Sequence, residues 1–121
     1  MELETSIYLT GQHLADHLFI LNQLFEMEQK TARLDDGGLL ARNVQRIKDK
    51  YADMGLVYEN PVGEPFGETR TDCEAHIAGT STENLVIKEV IKPIIRFRSG
   101  PITRLAQRAV VVVESEPQTT Q

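Results

Sequence analysis

The sequence predicts an α+β fold in which an N-terminal helical hairpin is followed by a small, mostly antiparallel β domain. Apolar residues recur at helical spacing up to Met54, and the period falls toward two after Gly55. Turn residues punctuate the chain at Asp35–Gly38 and again at Glu59–Gly67. The strongest β signal is Thr103–Val113, where Arg104, Gln107 and Arg108 lead into four successive valines. It reads as one closing strand, with a polar rim suited to docking.

Taken in order, Met1–Leu9 alternates weakly through Leu3, Thr5, Ile7 and Leu9, a pattern open to a strand, a frayed helix start or an arm reaching a partner. From Thr10 or Ser6 to about Leu34 the pattern is helical, with Leu14, Leu18, Leu21, Phe25 and Ala32 on one face. A second stripe, Ile20, Leu24, Met27 and Leu34, lies roughly 100° around the cylinder at 3.6 residues per turn. Asp35-Asp36-Gly37-Gly38 breaks the helix and offers an aspartate to cap the next one. Leu40, Val44, Ile47, Tyr51 and Met54 then form a heptad-like seam, and Gly55 supplies the stop. One hairpin mate cannot cover both stripes of the first helix. The expected solution is a homodimer that closes a four-helix bundle, with Leu14, Leu18, Leu21, Leu24, Phe25, Leu40, Val44 and Ile47 at the interface. A fold-back of the β domain over the second stripe is the other way to cover it.

Past Gly55, Leu56–Glu59 predicts a short strand, Glu59–Gly67 a turn rich in proline and glycine, and Cys73–Ile77 and Val86–Ile91 further strands. Loops are expected at Gly79–Asn84 and Arg98–Pro101, and a polar end follows Glu114. The expected division is a helical dimerisation region over 1–54, a β domain over 55–116 and a mobile tail over 117–121.

Of 121 residues, 40% are hydrophobic and 26% charged, the balance of a folded globular chain. A net charge of −5 repels phosphate backbones and anionic lipid, so neither nucleic acid nor a membrane is an expected partner. A single cysteine, Cys73, suits a reducing compartment, and the cytoplasm is expected because no signal peptide or apolar span stands out. No glycine-rich phosphate loop and no nucleophile motif is present, so the expectation is a protein that is not an enzyme and holds no cofactor. His13 and His17 have the i, i+4 spacing of a zinc helix, but leucine stands where a metalloprotease has glutamate, and solvated helix positions are the commoner reading. Glu64, Glu68 and Asp72 near Arg70 read as a solvated rim. Lys92, Arg96, Arg98, Arg104 and Arg108 gather five of thirteen cations among apolar neighbours, the composition of a surface that grips carboxylates.

The order of these parts resembles a known family. A helical hairpin ending in Lys50-Tyr-Ala-Asp-Met-Gly-Leu-Val-Tyr58, then Gly63-Glu-Pro-Phe66, Cys73-Glu-Ala-His76, Val86-Ile-Lys-Glu-Val-Ile-Lys92 and Arg104-x-x-x-Arg108-Ala-Val-Val-Val-Val113, is similar to the C-terminal two-thirds of GrpE. GrpE is the nucleotide exchange factor of DnaK-type chaperones, a co-chaperone of protein folding and the stress response. The resemblance covers about Leu14 to Val113, by order and spacing more than identity. Cys73 stands where the family has histidine, Pro93 replaces a glycine, and two connections are longer. The family's long N-terminal paired helix has no counterpart here, which implies a short form without the stalk. The resemblance implies a homodimer that binds the chaperone's nucleotide-binding domain and promotes ADP release, or else a GrpE-like scaffold or adaptor without exchange activity. It places Arg104 on one of the family's closing-strand arginines in either of two registers, with Gln107 or Arg108 beside it. Arg104, Arg108, Gln107, Phe66 and Arg96 are the partner-binding residues it implies.

Overall fold

The computed structural model describes residues 11–117. Two helices, α1 (Gly11–Thr31) and α2 (Leu39–Asp53), are followed by β1 (Leu56–Glu59), β2 (Cys73–Ala78), β3 (Leu85–Lys92), β4 (Ile94–Ser99), β5 (Ile102–Gln107) and β6 (Ala109–Ser115). The alternation over Met1–Leu9 and the tail from Gln118 lie outside the described residues. Among those described, no helix is long and apolar enough to cross a membrane.

The helix ends follow local chemistry. α1 stops at Thr31, short of Leu34, where Arg33 and Leu34 donate to the carbonyls three residues back, at 3.2 Å each. Asp36 then ties the start of α2: one carboxylate oxygen accepts from the Gly38 N–H and the other from the Leu40 N–H, both at 3.0 Å. The Leu40 N–H is the main reason that the Asp36 carboxyl lies below its ordinary pKa. At the far end, Gly55 takes φ 93°, and a Cβ added there would stand 2.6 Å from the Arg98 carbonyl oxygen. Only glycine allows both the left-handed turn and the close pass of β4.

The strands form two three-stranded sheets, ordered β1-β4-β5 and β2-β6-β3. All neighbours are antiparallel except β2 and β6, which run parallel. Consecutive strand residues point to opposite faces, and β4 uses this to separate two cores. Ile95 packs with Leu21, Leu24, Phe25, Val44, Tyr51, Leu56 and Tyr58 against the helices, whereas Ile94 joins Cys73, Ile87, Ala109, Val111 and Val113 in the second core.

Two expectations are corrected. Thr103–Val113 is not one strand: it breaks at Arg108 into β5 and β6, which belong to different sheets. Ala109, Val111 and Val113 alternate inward and are fully buried, while β5 is exposed over Ile102–Leu105. The eight residues assigned to a dimer seam also divide. Leu21, Leu24, Phe25 and Val44 are buried within one chain and Leu14 and Leu18 pack against the same core, because the β1-β4-β5 sheet lies over the first stripe of α1. Exposed apolar residues on the hairpin are instead Phe19 (67%), Ile20 (45%), Met27 (48%), Leu34 (50%), Leu39 (61%), Leu40 (50%) and Ile47 (43%). The sheet thus folds back on the helices, covering the first stripe from Leu14 to Phe25 and, of the second, only Leu24, while Ala32 stays exposed.

The helices are also tied by polar contacts. The Tyr58 hydroxyl donates to Glu28 at 2.9 Å, Lys48 reaches the other oxygen of Glu28 at 3.2 Å, and the Lys48 ammonium lies 4.6 Å from the centre of the Tyr58 ring. Burial, then the Glu28 carboxylate, pushes the Tyr58 hydroxyl pKa well up.

Candidate docking site on the β4–β5 hairpin

β4 and β5 are joined by the two-residue turn Gly100–Pro101. Gly100 adopts φ 61°, the conformation that the first position of a tight hairpin requires. Ser99 pairs with Ile102, Arg98 with Thr103, Phe97 with Arg104 and Arg96 with Leu105. Paired residues share a face. Arg104 therefore lies on the side of Phe97, which faces the helical core, whereas Arg98 lies on the opposite side. β5 is an edge strand, and its two large apolar side chains are open to solvent, Ile102 at 52% and Leu105 at 42%.

The five cations of the predicted basic cluster do not form one patch. Arg96 donates to Asp72 at 2.9 Å and to Glu59 at 3.2 Å. Asp72 also accepts from Arg70 at 2.8 Å, and Arg70 donates to Glu64 at 2.8 Å. Burial works against the ionised Asp72 carboxyl, yet the bonds from Arg70, Cys73 and Arg96 outweigh it and hold the pKa below its ordinary value. Burial raises the neighbouring Cys73 thiol. Arg108 donates to the Cys73 carbonyl at 2.9 Å, pinning the turn from β5 into β6. The side chains of Arg98 and Arg104, by contrast, have no hydrogen-bond or ion-pair partner among the described residues.

Gln107 is an anchor and not a free contact. Its amide and that of Asn22 on α1 bond reciprocally, at 2.9 and 3.0 Å, and Gln107 donates a further 2.9 Å bond to the Pro93 carbonyl. The clamp fixes the end of β5 against both the helix and the β3–β4 corner. Phe66 is half-buried against the second core, and its N–H donates to the Leu85 carbonyl at 2.9 Å. Of the five residues implied as partner-binding, only Arg104 therefore stands open and unengaged; Arg96, Gln107, Arg108 and Phe66 hold the platform behind it.

Ile102, Thr103 and Leu105 complete the open surface, and the sequence reading missed them. A Gly-Pro pair between two β-prone runs was the available signal, since it marks a tight turn. Elsewhere, His17 shares a 3.0 Å hydrogen bond with the Tyr51 hydroxyl, so its ring is turned to α2. Among the described residues no group of three or more histidine, cysteine or carboxylate side chains stands together to hold a metal. A groove of about 520 Å³ between α1 and β3 is rimmed by Glu26, Glu89 and Lys92, a mixture that converges on no single ligand chemistry. No family model, curated protein or solved structure matches the chain.

Proposed function

We propose that the protein is a dimeric, non-enzymatic docking module that resembles GrpE and presents its β4–β5 hairpin to the nucleotide-binding domain of a DnaK-type chaperone in a reducing, cytoplasmic setting. The observation that carries this reading is the hairpin. Arg104 on one face and Arg98 of β4 on the other have no internal partner, beside exposed Ile102 and Leu105 on a strand whose far end is tied by the Asn22–Gln107 clamp. An arginine beside apolar side chains on a fixed backbone loses little freedom on binding and desolvates readily, the properties of an interface anchor. The order of a helical hairpin and then a six-stranded β domain supports the resemblance to GrpE. Exposed apolar residues on both helices, among them Ile20, Met27, Leu40 and Ile47, support a second copy across the hairpin.

In this reading the protein performs no chemistry. It binds the chaperone's open, nucleotide-poor conformation more tightly than the closed one, and ADP leaves faster because that population grows. The test is capture of a DnaK-type nucleotide-binding domain, followed by release of labelled ADP. Capture with faster release supports an exchange factor, capture without it supports the adaptor role, and absence of capture overturns the chaperone reading.

A further inference from the structure

We infer that β5 is a strand-addition site: an extended acidic segment of a partner protein adds to its outer edge as a fourth strand of the β1-β4-β5 sheet, with a carboxylate facing Arg104. The inference deepens the proposed docking function and rests on β5 being the docking strand. Alternation of the antiparallel ladder from the two-residue turn directs the backbone N–H and C=O groups of Thr103 and Leu105 away from β4. Among the described residues no backbone bond covers that side of β5.

Exposed edges are ordinarily blunted by short strands, proline, bulges, charged side chains or a covering loop; β5 carries one of these, the charge of exposed Arg104, which disfavours a second copy but not an acidic strand, and the other edges show others. β3 is covered at one end, where Gly63 donates to Ile87 at 2.8 Å, Ile87 to Glu64 at 2.9 Å and Phe66 to Leu85 at 2.9 Å, and its ladder is irregular at two places. β1 has only four residues, and β2 carries exposed Glu74. The ladder of β5 is irregular only beside Gln107, which leaves Ile102–Leu105 regular. Arg104 and Arg98, on opposite faces, give this edge positive charge in a chain of net −5. Charge complementarity therefore selects an acidic strand. A second copy is the poorer occupant, since two β5 edges bring arginine against arginine.

The test is amide exchange of the full chain with a capped peptide alternating Glu with Val and Thr, with the same peptide N-methylated along one edge, and with its Lys analogue. The acidic peptide should slow exchange at the Thr103 and Leu105 amides. N-methylation or the change to Lys should weaken binding by about tenfold or more, as should Thr103→Pro, which removes one outward donor. The N-methylated peptide keeps the test independent of whether Thr103→Pro folds. Unchanged exchange at both amides, or equal binding of the N-methylated peptide, overturns the inference. Protection that grows with protein concentration in the absence of peptide overturns it in favour of self-pairing. A parallel titration with a DnaK-type nucleotide-binding domain separates the two claims. Peptide protection without binding of that domain refutes the chaperone reading alone, whereas domain binding unaffected by a well-folded Thr103→Pro refutes strand addition alone.

Discussion

Replacing Gln107 with alanine should destabilise the fold by about 2 kcal/mol, and the structure gives the terms. Three hydrogen bonds are lost: the reciprocal pair with Asn22 at 2.9 and 3.0 Å and the 2.9 Å bond to the Pro93 carbonyl. Each is worth about 0.5–1.5 kcal/mol net, and a half-buried site allows water to restore part of that. Because the clamp joins α1 to the β5 end, its loss should also loosen Ile102–Leu105. For a domain of this size the melting temperature should fall by about 8 °C or somewhat more. Urea unfolding of wild type, Asn22→Ala, Gln107→Ala and the double variant closes a thermodynamic cycle, with an expected coupling of about 1 kcal/mol. A Gln107→Ala midpoint within about 0.5 kcal/mol of wild type, or a coupling near zero, refutes the clamp.

The exposed apolar residues of the hairpin lead to a second expectation: Leu40→Glu with Ile47→Glu should convert a dimer to a folded monomer by light scattering, and a wild-type monomer at micromolar concentration would remove the bundle. Gly55→Ala should cost more than about 1 kcal/mol, since a Cβ at φ 93° would stand 2.6 Å from the Arg98 oxygen; an unchanged urea midpoint would contradict that contact. Asp72 has a folded-state pKa below its unfolded value, so its contribution is present above the unfolded pKa of about 3.9 and is lost as pH falls through the folded one. Acid unfolding of Asp72→Asn should therefore start from lower stability at neutral pH and show a shallower decline below about pH 4; a parallel decline would assign the sensitivity to other carboxylates.

Much of the fold was legible because it is local. The heptad-like positions of α2, the Asp36 cap and the Gly55 stop depend on residues within a turn or two of each other. The run of four valines marked β6 as a strand, and the structure turns Ala109, Val111 and Val113 inward as its buried face. What was not legible depends on distant partners. Local β propensity runs unbroken through Arg108, and the change of sheet is marked only when Gln107 meets Asn22, 85 residues earlier. Arg96 looked free in sequence, yet its ion-pair partners lie 24 and 37 residues away. Helical spacing announced burial for Leu21 and Phe25 on one stripe and Leu24 on the other, but periodicity does not say whether a second copy or the chain's own sheet covers them. At the site, the same ambiguity made five residues equivalent when one, Arg104, is open.

The central claim is that the β4–β5 hairpin docks on a chaperone and that Arg104 anchors it. The most direct measurement is release of labelled ADP from a DnaK-type chaperone as a function of the concentration of wild type, Arg104→Ala and Arg104→Lys, with folding checked by circular dichroism. Wild type should accelerate release. Arg104→Ala should need about 30-fold more protein for the same effect, equivalent to about 2 kcal/mol, and Arg104→Lys should recover only part of the loss because an ammonium lacks the bidentate grip. Release that is unaffected by wild type, or accelerated equally by wild type and Arg104→Ala, would contradict the claim.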